Sequence, residues 1–176
     1  MTEPQQGQRR KGAFSHSTWC YIRSLLTPQA MAQQTIQNNY QPEEYYTEEK
    51  DAPIRSSAIY DLSGPALSVP EDFKLTQENI VMVVRGITAQ TDKTISPWMN
   101  QYKIGDHATF GRVEYEVQSV DSLSMTMAAM SAEVSGILYF RKTKRLLLAC
   151  FLSEANVNDA VAVIDHAHAV LKVMGY

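Results

Sequence analysis

Ile137-Leu138-Tyr139-Phe140, then Arg141-Lys142-Thr143-Lys144-Arg145, then Leu146-Leu147-Leu148-Ala149-Cys150-Phe151-Leu152: two apolar runs of strand length flank five polar residues. This reads as a β-hairpin with a charged turn. Upstream, Gly111 opens a further strand region. Val113, Tyr115 and Val117 alternate with Glu114, Glu116 and Gln118, the pattern of a half-buried strand. Leu123, Met125 and Met127 alternate in the same way with Ser124, Thr126 and Ala128. Four such strands in series, joined by short turns, predict an antiparallel meander.

Helices border this region. Ile80, Val83, Val84 and Ile87 recur at i, i+3, i+4 and i+7, one apolar stripe of a helix. Thr76 stands as its N-cap, Leu75 and Ile80 are placed as a hydrophobic staple, and Gly86 falls near its end. A closing helix is capped by Asn156 or Asn158. Its stripe is Ala160, Ile164, Ala167, Leu171 and Met174, widened by Val163, Val170 and Val173, with Gly175 as its C′ residue. Earlier, Ser57–Leu62 reads as a strand turned by Ser63-Gly64-Pro65 into Ala66–Val69. Trp19–Leu26 is an apolar island behind Ser17-Thr18, a short helix with aromatics at its start. The order of elements predicts an α+β fold, one antiparallel sheet with helices packed on it.

The rest of the N-terminal third is different. Residues 1–17 are polar and Gln-rich, a tail. Residues 27–54 carry Gln, Asn and acidic residues punctuated by Pro28, Pro42 and Pro53. Such a stretch holds too little apolar surface to offset the entropy of ordering it, so it reads as a mobile insertion. Residues 18–176 then form one domain. The 176 residues carry 16 Lys+Arg and 19 Asp+Glu, a net charge of −3 with His neutral. Positions 41–51 hold five acids and Lys50, a local −4, so the remainder sums to +1. That balance argues against nucleic acid as a partner. No apolar run approaches the ~20 residues of a membrane span. Cys20 and Cys150 both sit in apolar sequence and read as reduced, buried thiols of an intracellular protein.

Chemistry-bearing motifs are few. No Gly-rich phosphate loop, Gly-x-Ser-x-Gly or His-Glu-x-x-His occurs. Gly105-Asp106-His107 with Ser96 is too diffuse for a triad. His166 and His168 stand at i, i+2 and point to different helix faces, whereas metal ligation from one helix uses i, i+3 or i+4. The expectation is no enzyme, no metal and no cofactor. Met125, Met127 and Met130 read first as core or sheet filler, and alternatively as an adaptable binding patch. Glu43-Glu44-Tyr45-Tyr46-Thr47-Glu48-Glu49 reads as a solvated loop.

The element order and several strings resemble the profilin family. They are Trp19 with Tyr21 and Ile22, then Ser57-Ala58-Ile59 before a Gly turn, and Lys74-Leu75-Thr76-Gln77-Glu78-Asn79-Ile80. Gly111 with Tyr115-Glu116-Val117, Gly136-Ile137 with Arg141-Lys142-Thr143, and Leu171 with Gly175-Tyr176 complete the set. The resemblance covers residues 18–26 and 56–176. It implies that the N- and C-terminal helices pack together on one face of the sheet and the middle helix on the other. It also implies a monomer of the cytoplasm and cytoskeleton that binds monomeric actin, proline-rich ligands and phosphoinositides, and modulates actin polymerisation.

By this resemblance the proline-rich site comprises Trp19, Tyr21, Ile22, Leu67, Val170, Leu171 and Tyr176. The family's hairpin Trp is replaced by Leu67 or Ala66, and its aromatic or His on the last helix by Val170, which implies a weakened groove. The actin face comprises Val117, Ser119, Met125, Met127, Asn156, Asn158, Ala162 and Asp165. Family members carry Lys or Arg at several of these strand positions, so complementarity to an acidic partner is reduced here. A profilin-fold adaptor without actin binding is the alternative. A longin- or roadblock-like trafficking or motor-adaptor domain is a third reading.

Overall fold

The structure, a computed structural model, describes residues 52–63, 66–68, 75–92, 94–95, 101–132 and 134–176. The short helix expected at 18–26, and with it Trp19, Tyr21, Ile22 and Cys20, lies outside them, as do the tail at 1–17 and most of the polar insertion.

Among the described residues seven strands form one antiparallel sheet: β1 (Ile54–Asp61), β2 (Ala66–Ser68), β3 (His107–Phe110), β4 (Val113–Val120), β5 (Ser124–Ala129), β6 (Ile137–Lys142) and β7 (Leu146–Leu152), in the order β2-β1-β7-β6-β5-β4-β3. The meander expected from residue 113 onward is present and gains β3 at its edge. The β6–β7 hairpin turns at Thr143–Arg145, while Arg141 and Lys142 complete β6. Thr143 is buried, and its Oγ1 accepts the amide N–H groups of Leu146 at 2.9 Å and Arg145 at 3.2 Å. A hydroxyl replaces solvent for two turn amides, so this charged turn has a rigid base.

Among the described residues two helices cover the two faces. On one side lies α1 (Gln77–Thr88), with Ile80, Val83 and Ile87 buried as the stripe demands. Thr76 Oγ1 accepts the Asn79 N–H at 3.1 Å, and the Thr76 N–H donates to Asn79 Oδ1 at 3.3 Å. This is a capping box with Asn in the place usual for Glu. Thr76→Ala removes the Oγ1 acceptor of the Asn79 N–H while leaving the backbone donor to Asn79 Oδ1, and is expected to lower stability by ~1 kcal/mol, read as a shifted urea midpoint at unchanged slope. Gly86 does not end the helix. A Cβ there would sit 2.6 Å from Met125 Cε and 3.2 Å from the Tyr102 carbonyl oxygen, so the missing side chain is what brings α1 this close to β5.

On the other side lies α2 (Val157–Val173), preceded by a 3₁₀ turn at Glu154–Asn156. Asn156 is its N-cap residue, without a side-chain capping bond. Ala160, Val163, Ile164, Ala167 and Leu171 are buried against Ile54, Ile59, Tyr139, Leu146, Leu148, Cys150 and Leu152. Met174 departs from the expected stripe: it is the C-cap residue and is exposed. Gly175 has φ +90°, and the Tyr176 N–H reaches the Leu171 carbonyl at 3.0 Å while the Gly175 N–H reaches that of Lys172 at 3.0 Å. These are the two bonds of a Schellman end, which turns the chain back onto the sheet. Among the described residues, no helix is long and apolar enough to cross a membrane.

Candidate functional site

Strand register assigns each side chain to a face. Val117, Met127 and Leu138 line up across β4, β5 and β6, as do Val120, Met125 and Phe140. Both rows belong to the core beneath α1. Between them a bulge at Val117/Ser119 shifts the register of β4, so Ser119 faces the α2 side beside Thr126 and Tyr139. Glu116, Ala128 and Ile137 form the next row on that side.

This placement corrects part of the expected actin face. Val117, Met125 and Met127 are 1%, 0% and 0% exposed. They are filler of the α1-side core and have no surface to offer a partner. Ser119, Asn158, Ala162 and Asp165 are exposed and Asn156 is half-buried, on the α2 side of the molecule. The α2 side of β3–β5 carries outward residues that pattern reading missed: His107, Glu114, Glu116, Thr126 and Ala128. Alternation was the available signal, since these are the polar halves of the same strands. His107 Nδ1 lies 3.3 Å from Glu114 Oε1 across β3 and β4. At the border with α2, Arg141 Nη2 lies 3.2 Å from Asp165 Oδ1. The outward rows of β4 and β5 present Glu114, Glu116, Ser119, Thr126 and Ala128, without a Lys or Arg. The outward residues of β4 and β5 are thus acidic, hydroxyl-bearing or small.

The C-terminal end of α2 is the second surface. Val170 is half-buried, Val173 is 90% exposed, and Met174 is exposed. Tyr176 packs partly against the α2-side core. The Arg145 guanidinium stands 5.7 Å from the centre of the Tyr176 ring. Arg145 Nη2 also lies 3.8 Å from Asp61 Oδ2. Asp61 accepts the Ser63 N–H and hydroxyl at 2.8 and 2.7 Å, and these bonds, with Arg145 adding less, hold its carboxyl below the usual range. A chain Asp61–Arg145–Tyr176 thus fixes the terminal aromatic beside β1. Leu171, expected at the proline-rich site, is fully buried under α2 and belongs to the core. Leu67 lies in β2, whose backbone pairs with β1, and its side chain is not described. Of the expected proline-site residues the described part places Val170 and Tyr176 at the C-terminal end of α2, Tyr176 against the α2-side core. Val173 and Met174 join them, hidden in the sequence because they continue the apolar stripe of the helix.

Other expected groups are also located. Cys150 is buried in β7, and burial pushes its thiol up to about 12, so it is inert as a nucleophile. His166 is exposed and His168 buried, on different faces of α2 as their spacing requires. Among the described residues no group of three or more His, Cys, Asp or Glu is placed to hold a metal ion.

Among the described residues the fold, a mostly sequential antiparallel sheet with one helix on each face and the last strand returning beside the first, is profilin-like. Profilin IB of Acanthamoeba castellanii matches at a TM-score of 0.51 with 17% sequence identity, over 70% of this chain and 89% of that one. No protein-family model matches the sequence, and no curated protein matches it.

Proposed function

We propose that this chain is a divergent profilin-type regulator of the cytoplasmic actin cytoskeleton that binds actin monomers and proline-rich ligands. The observation that carries the reading is a profilin-like fold whose last helix ends with exposed Val173 and Met174 and half-buried Val170, followed by Tyr176 beneath the Arg145 guanidinium. A polyproline II segment is already extended, so flat and apolar side chains grip it at low entropic cost. In this proposal Trp19, Tyr21, Ile22 and Leu67 complete that surface. The N-terminal helix then lies beside α2, and actin sits on the α2-side face formed by Ser119, Glu116, Thr126, Asn158, Ala162 and Asp165. Two sites on one small monomeric domain would let it pass actin monomers to proline-rich assembly factors. Lys142, Lys144 and Lys172 are the cations to which an anionic phosphoinositide headgroup would bind.

The decisive experiment is pyrene-actin polymerisation with the full chain in molar excess. The expected result is slowed nucleation. Unchanged nucleation and elongation would sink the actin part. A polyproline peptide titrated against Trp fluorescence, with Trp98→Phe to isolate Trp19, tests the second site. One observation favours a second reading: the outward rows of β4 and β5 carry glutamates and small residues in place of cations. A proline-ligand response without any effect on actin would establish that reading, a profilin-fold adaptor that has lost actin.

A further inference from the structure

His168 joins the last helix to the β6–β7 hairpin. It is 5% exposed, and its Nε2 lies 3.1 Å from the carbonyl oxygen of Lys142, the last residue of β6. A carbonyl only accepts, so Nε2 must carry the hydrogen, and this fixes the neutral tautomer. A second proton can only arrive at Nδ1, and it makes a buried imidazolium. The charged groups around it are Arg141 on β6, and Lys172 and Asp165 on α2. Asp165 is already engaged by Arg141 at 3.2 Å. Asp121, in the β4–β5 hairpin, also acts on Arg141 and holds three hydrogen bonds from Leu123 and Ser124. The nearby carboxylates are thus already engaged, and Asp165 offsets only part of the field of the two cations at His168.

We propose that His168 is a pH-sensitive latch, closed when its ring is neutral and opened when a solvent proton on Nδ1 drives the imidazolium out to water. Opening breaks the Lys142 bond and loosens the C-terminal half of α2, including the Val170–Tyr176 surface. This device does not depend on what that surface binds.

The direction follows from the environment. Burial first, and the two cations after it, lower the proton affinity of His168, against the opposing pull of the Lys142 carbonyl and Asp165. The unfolded chain therefore takes up the proton at a higher pH than the folded one. Stability is full above the ordinary His value of ~6.5 and is lost as pH falls below it. Asp61, Asp92 and Asp121 are all held below the usual carboxylate range, so their contributions persist until pH falls below ~4. Between about pH 7 and about pH 5 these carboxylate contributions therefore stay in place.

The test is thermal unfolding of the full chain from about pH 7 to about pH 5, alongside His168→Gln. The Gln side-chain amide can still donate to Lys142 and does not titrate. The expected result is a fall in Tm for the wild type that is at least halved in the variant. Amide exchange at residues 170–175, corrected for intrinsic rate, should rise several-fold at the lower pH in the wild type alone. Parallel Tm curves for the two chains would overturn the proposal. Should the variant fail to fold, the wild-type NMR titration decides it: a His168 midpoint at or above the ordinary His value, or no rise in amide exchange at residues 170–175 through that midpoint, overturns the latch, and a lower midpoint with that rise supports it.

Discussion

Phe140→Ala should lower the unfolding free energy by about 3–5 kcal/mol, read from the urea midpoint at unchanged slope. Phe140 is 0% exposed in β6, one of the inner strands of the sheet. Its ring lies 5.9 Å from that of Phe110, which in turn meets Tyr115 edge-on at 5.7 Å. Met125 and Ala149 stand opposite it on the neighbouring strands. Truncation removes the transfer energy of a benzyl group and leaves a cavity between sheet and α1. The backbone ladders on both sides resist collapse into that cavity, so the cost should sit high in the known range. A domain of this size has ~5–15 kcal/mol in total, so the variant should approach the unfolding threshold at 37 °C. A loss under ~1 kcal/mol would mean that Met125 and Met127, the flexible fillers beside it, close the gap.

The second large effect lies on the opposite face. Ile164→Ala should cost about 2–5 kcal/mol, because Ile164 is fully buried at the middle of α2. Its buried helix neighbours Ala160 and Ala167 are too small to fill the space it would leave. The sheet backbone separates the two cores, so the double variant should be additive within ~0.5 kcal/mol. A larger coupling would show that strain crosses the sheet, and the two faces would then not be independent layers.

Much of this architecture was legible from periodicity. The α1 stripe at 80, 83 and 87, the Thr76 cap, the β6–β7 hairpin and the Gly175 terminus all read from local pattern, because each has a local physical cause. Strand β3 was missed. His107-Ala108-Thr109-Phe110 alternates correctly, but four residues are too few to separate a strand from a turn. Leu123 was assigned to a strand that begins at Ser124. It is 40% exposed in the hairpin, where Asp121 accepts its N–H. The candidate surfaces were less legible. Alternation says that Met125 and Met127 share a face with each other, but not which helix covers that face. The bulge beyond Val117 then moves Ser119 to the opposite side, a shift of one residue that leaves no compositional trace. Exposure at the end of α2 was hidden for a related reason: Val170, Val173 and Met174 look like core, and only the position of the helix on the sheet shows where its apolar stripe runs past the strands beneath it.

The pairing of β1 with β7 bears on how the chain is made. Asp61 meets Leu146, 85 positions later, and Ile54 meets Leu152, 98 positions later. At ~5–20 residues per second of synthesis, β1 waits roughly 4 to 17 seconds for its partner. During that wait Ala58 and Tyr60 can be covered by α1, but Ile59, buried on the α2 side of the finished molecule, has neither β7 nor α2 to shield it. The nascent chain is therefore most exposed to aggregation and to chaperone capture through its earliest strand. Vectorial folding on the ribosome should leave β1 protease-sensitive until β7 has emerged.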